Sequence, residues 1–93
     1  MPLVDERTRQ EFAASYPDWE MSETAIRRTF RFADFVEAMR FVVGVSLLAE
    51  RADHHPDIDI RWNRVTLTLS THSEGGLTDK DLALAEQIET RLL

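Results

Sequence analysis

Two short runs past the middle of the chain restrict the fold more than any other feature. In Asp57-Ile58-Asp59-Ile60-Arg61-Trp62 the even positions are mainly apolar and the odd ones charged. In Val65-Thr66-Leu67-Thr68-Leu69-Ser70-Thr71-His72 the odd positions are mainly apolar and the even ones polar. Period-two alternation marks a half-buried strand, and two such runs separated by two residues read as a hairpin. A turn at Asn63-Arg64 predicts Trp62 opposite Val65, Ile60 opposite Leu67 and Ile58 opposite Leu69 on an apolar face. On the polar face the same register sets Asp59 against Thr68, Asp57 against Ser70, and His55 against His72. Directly opposed residues hold their Cβ atoms about 5 Å apart, so this register predicts two imidazoles side by side.

The remaining elements follow from caps and periodicity. Asp5 to Ser15 reads as a short helix anchored by Phe12, ending before Pro17. Trp19 to Met21 and Ala25 to Phe32 read as strands, the second with Ile26, Phe30 and Phe32 on one face and Arg28 intruding among them. Asp34 with Glu37 is a capping pair for a central helix to about Ala52, and Thr78 with Asp81 caps a last amphipathic helix to Leu92. The order αββαββα predicts one α+β domain over residues 1–93, a four-stranded antiparallel sheet with three helices on one face. The central helix is apolar round much of its circumference. Phe35, Met39, Val42 and Val43 form a stripe expected to meet the sheet, while Phe41, Val45 and Leu48 need a second cover, expected from another subunit. Gly44, unfavourable in a helix interior by about 1 kcal/mol, suggests a close approach there.

Composition excludes several function classes. With no cysteine, the chain can form no disulfide, thiolate nucleophile or sulfur-ligated metal site. A formal charge of −6 argues against a general nucleic-acid binder. Phe41 to Ala49, the longest apolar stretch, is too short to span a bilayer, and Met1 to Arg9 has no apolar run typical of a signal peptide. A cytoplasmic protein is expected.

All three histidines lie in two segments, Glu50-Arg51-Ala52-Asp53-His54-His55-Pro56 and Ser70-Thr71-His72, which the hairpin brings together. Imidazoles titrate closest to neutral pH, so three of them beside carboxylates can move protons. Plainer readings exist for each residue. Glu50 can be a solvated last-turn residue, Asp53 a polar turn residue, Asp81 a helix cap, and Trp19 and Trp62 packing residues. Ligand type alone would also allow a metal set of His54, His55, His72 and Glu50, but opposed strand pairs rarely supply a closed tetrahedral set.

The pattern Glu50, three residues, His54-His55-Pro56, then Trp62, His72 and Asp81 resembles the pterin-4a-carbinolamine dehydratases. The likeness extends through Trp19-Glu20, Phe30 to Phe35, Leu67 to His72 and Gly76-Leu77-Thr78, nearly the whole chain. It implies a hydro-lyase that removes water from 4a-hydroxytetrahydropterin to give quinonoid dihydropterin, with no metal and no bound cofactor. It implies His54, His55 and His72 around the reacting edge, with the acid–base work on His54 and His72 and His55 binding or tuning. Glu50 and Asp53 would support that site, and Ser70 and Thr71 would line the pterin-binding edge. Ile58 departs from the aromatic that many relatives carry two positions after the proline; Trp62 keeps the aromatic expected there. The implied partners are a small pterin and further copies of the chain, as homodimer or homotetramer, with neither nucleic acid nor membrane. The alternative is a non-enzymatic oligomeric adaptor or assembly factor, which loss of a histidine would have favoured.

Overall fold

The computed structural model describes residues 1–93. Helix α1 spans Glu6–Ser15, strands β1 Glu20–Met21 and β2 Ile26–Arg31, helix α2 Phe35–Ala52, strands β3 Asp57–Arg61 and β4 Arg64–Leu69, and helix α3 Asp79–Leu92. The strands form one antiparallel sheet in the order β1-β2-β4-β3. Each helix begins where the sequence supplies an acceptor. Asp5 accepts from the Thr8 N–H, which holds its carboxyl below the usual range, and Asp34 accepts from the Glu37 N–H. Thr78 and Asp81 form a reciprocal capping box.

The core lies between the sheet and the helices, with Ile26, Phe30, Val65, Leu67 and Leu69 beneath Phe41, Val45, Leu48, Leu84 and Ile88. Arg28, the charged residue on the apolar face of β2, is accommodated at its rim. Its guanidinium donates to Glu89 of α3 at 2.5 and 2.7 Å and stands 4.5 Å from the Phe30 ring centroid.

Central helix α2 is apolar on two sides, but the sheet covers the opposite side from the one expected. Phe41, Val45 and Leu48 are buried in the chain's own core, whereas Phe35, Val36, Val43 and Leu47 are exposed. Met39 and Val42 lie between the two sides. Ala38 and Ala49 on the buried side explain the choice, because small residues let the helix settle closely on its neighbours. Gly44 does mark a close approach, within the chain: a Cβ there would lie 2.9 Å from the Leu92 side chain of α3.

The hairpin corrects the expected register. Its turn is Trp62-Asn63, so Ile60 faces Val65, Ile58 faces Leu67, Asp59 faces Thr66 and Asp57 faces Thr68. Asn63 decides this by clamping the turn to the end of β2, its carbonyl accepting from the Phe32 N–H and its Nδ2 donating to the Phe32 carbonyl. Trp62 takes a left-handed φ of 51° and is 68% exposed, so it is a turn residue and not a packing one. Trp19, by contrast, is buried edge-on against Phe30.

Candidate active site

The two histidine segments converge where α2 enters β3 and β4 enters α3. Helix α2 ends in a Schellman arrangement: the His54 N–H donates to the Ala49 carbonyl at 3.1 Å and the Asp53 N–H to the Glu50 carbonyl at 3.2 Å. Asp53 occupies the left-handed position at φ 50°, which Asp tolerates better than most residues. That reversal turns His54 inward and leaves His55 on the surface.

His54 Nε2 meets Asp81 Oδ1 at 2.5 Å, and the Asp81 side chain has no exposure at all. The other carboxylate oxygen accepts from Thr71 Oγ1 at 2.8 Å and from the Thr78 N–H at 2.9 Å. With that proton committed, Thr71 Oγ1 accepts from Thr78 Oγ1 at 2.8 Å. The buried carboxylate is therefore surrounded by donors, as burial of a charge requires. An ionised carboxylate only accepts, so this contact calls for the Nε2–H tautomer of His54, whose Nδ1 has no hydrogen-bond partner within the chain. Asp81, read from sequence as a cap, is both a cap and the partner of a histidine. The signal available was its place at the close of the His54-His55-Pro56, Trp62, His72 spacing.

Around this centre the other residues sit in different relations. His55 Nε2 pairs with Glu50 Oε1 at 2.5 Å on the exposed surface. Strand β4 stops at Leu69, short of the expected end. Thr71 bridges to Gly76, and His72 opens a single 3-10 turn, His72–Glu74, in place of further strand. His55 and His72 are therefore not cross-strand partners, since the observed pairing ends at Asp57 opposite Thr68. Thr71 ties the exposed His72 segment to the His54–Asp81 pair. Ser70 Oγ donates to the Thr24 carbonyl at 2.7 Å, holding β4 to the β1–β2 loop, and the Asp53 side chain makes no hydrogen bond within the chain. No group of three or more His, Asp or Glu side chains is arranged to hold a metal ion.

The model of the family described as pterin 4 alpha carbinolamine dehydratase matches residues 1–91. The chain belongs to the pterin-4a-carbinolamine dehydratase family. This is a family of hydro-lyases. A relative from Chloroflexus aurantiacus, named "Putative pterin-4-alpha-carbinolamine dehydratase", is 54% identical over 89 residues, 96% of each chain. One from Acidobacterium capsulatum with the same name is 52% identical over 92 residues, 99% of this chain and 100% of the relative. A crystal structure described as a transcriptional coactivator/pterin dehydratase from Brucella melitensis superposes with a TM-score of 0.87 at 36% identity, covering 94% and 95% of the two chains. A pterin dehydratase-like protein described as a RuBisCO assembly factor shares the fold at a TM-score of 0.63 and 19% identity, over 76% and 82%.

Proposed function

We propose that the protein dehydrates 4a-hydroxytetrahydropterin, with His54 and His72 as the acid–base pair. The observation that carries this is the His54–Asp81 bond, which leaves one imidazole nitrogen poised for proton exchange. In the reaction the C–O bond at carbon 4a breaks as the oxygen takes a proton. The adjacent ring N–H gives one up as the C=N bond forms, so water leaves and no net proton is consumed. One imidazole donates and another accepts. His55, paired with Glu50, binds the substrate or tunes the site, and Ser70 and Thr71 shape the edge on which the pterin rests. Asp53 supplies the turn that separates His54 from His55. The test is direct: 4a-hydroxytetrahydropterin, generated in situ, should be converted to quinonoid dihydropterin faster than its spontaneous decay. A rate equal to that decay would remove the proposal.

Asp81 acts here as a positioning residue. Asp81→Asn should lower turnover by about 10²-fold, within the range of a positioned acid–base group, and shift the pH–rate profile, because an amide no longer fixes the proton on Nε2. An unchanged profile with a lowered melting temperature would reduce Asp81 to a structural cap.

No metal takes part in this mechanism. Exhaustive chelation should leave turnover unchanged; activity lost and then restored by one metal ion would replace the histidine scheme with a metal one.

The exposed apolar side of α2, with Phe35, Val36, Val43 and Leu47, supports association with further copies of the chain as a dimer or tetramer. No helix is long and apolar enough to cross a membrane, and a cytoplasmic role in tetrahydropterin recycling agrees with the proposed substrate.

A further inference from the structure

The outer face of the sheet, which the dehydration chemistry does not use, carries an unusual row of charge. Arg31 of β2 stands directly opposite Arg64 of β4, and Arg64 directly opposite Arg61 of β3. Arg27 lies on the same face of β2, separated from that row by Thr29 and Thr66, whose hydroxyls are 2.8 Å apart. Four of the eleven basic residues of a chain with net charge −6 thus share one face. Like charges directly opposed across strands are destabilising, and acidic side chains are plentiful elsewhere in this protein. On this face Asp59 pairs with Arg61 at 3.2 Å, while Glu20 of β1 stands opposite Arg27 and Asp57 of β3 opposite Thr68, without closing an ion pair. Arg27, Arg31 and Arg64 enter no ion pair.

Three of these arginines, Arg27, Arg61 and Arg64, line a groove of about 250 Å³ together with Thr29, Asp59 and Thr66, with no apolar side chain. We propose that this groove binds a small oligophosphate. Guanidinium forks match phosphate oxygens two at a time, and hydroxyls supply further donors. Adjacent strands lie about 4.8 Å apart, so the Arg31–Arg64–Arg61 row spans about 10 Å. Several negative charges must therefore enter one small volume, which a chain of phosphates provides more densely than a carboxylate does. The arginine row closes the hairpin end, about 13 Å of strand from the Asp57 end of β3 beyond which the histidines lie; of the groove's lining residues, Arg27 comes level with Asp57.

The probe is inorganic tripolyphosphate, with citrate at matched ionic strength as the polycarboxylate arm. Saturable 1:1 binding by calorimetry is expected, with quenching or enhancement of the exposed Trp62 beside Arg61. Arg64→Thr should weaken that binding at least tenfold. It should also leave the unliganded protein melting no lower than wild type, because the central like charge is gone. Arg7→Ser, which removes an arginine from the surface of α1, should bind as wild type does. Equal loss in Arg7→Ser, unchanged affinity in Arg64→Thr, binding of citrate as tight as that of tripolyphosphate, or no saturable binding would each overturn the assignment.

Discussion

His54→Ala and His72→Ala should each lose about 10²–10⁴ in turnover, the usual contribution of a positioned acid or base. The two losses have different structural backgrounds. His72 is exposed and makes no side-chain hydrogen bond within the chain, so its removal should change stability by no more than about 0.5 kcal/mol. His54 supplies the only partner of Asp81 Oδ1 inside the protein. Deleting it leaves part of a buried carboxylate unpaired, at a cost of about 1–3 kcal/mol. Small domains have about 5–15 kcal/mol in total, so the variant should remain folded at low temperature while melting earlier. Turnover measured well below both melting points separates lost chemistry from lost structure. Near-normal rates in both folded variants would remove the histidines from the mechanism.

Glutamate introduced on the two sides of α2 should have opposite consequences. Val45 is wholly enclosed beneath the sheet, and an unpaired carboxylate there costs several kcal/mol or more. Val45→Glu should unfold the chain, seen as loss of cooperative melting by circular dichroism. Val43 and Leu47 are 56% and 62% exposed on the other side, beside Phe35 and Val36. Burying such side chains against a second copy contributes about 1.5–3 kcal/mol each, and an exposed apolar stripe of this extent marks an interaction surface. Val43→Glu should therefore keep the fold and dissociate the assembly. Light scattering that finds wild type already at the 10.8 kDa of a single chain would sink the assembly reading.

Much of the molecule was legible from local chemistry. The Asp34 and Thr78 caps placed the starts of α2 and α3, because an N-cap acceptor acts over only three residues. Alternation assigned the faces of β3 and β4 correctly, and the spacing of His54-His55-Pro56, His72 and Asp81 indicated both the family and where to look for the site.

What the sequence determined by itself is therefore the set of helices and strands, their order and the inward parity of β2, β3 and β4. Three features were decided only in the tertiary structure. Registers that differ by two residues keep every side chain on the same face, so alternation could not distinguish His55 opposite His72 from the observed pairing; the Asn63–Phe32 clamp did. Apolar residues on two sides of α2 reveal that two surfaces need covering but not which one meets the sheet, and close packing near Ala38 and Ala49 chose. Asp81 looked like an ordinary cap because its second role depends on His54, 27 residues earlier, and Thr71, 10 residues earlier. A local pattern cannot show that a carboxylate has lost its water, because that depends on groups which only folding brings to its side.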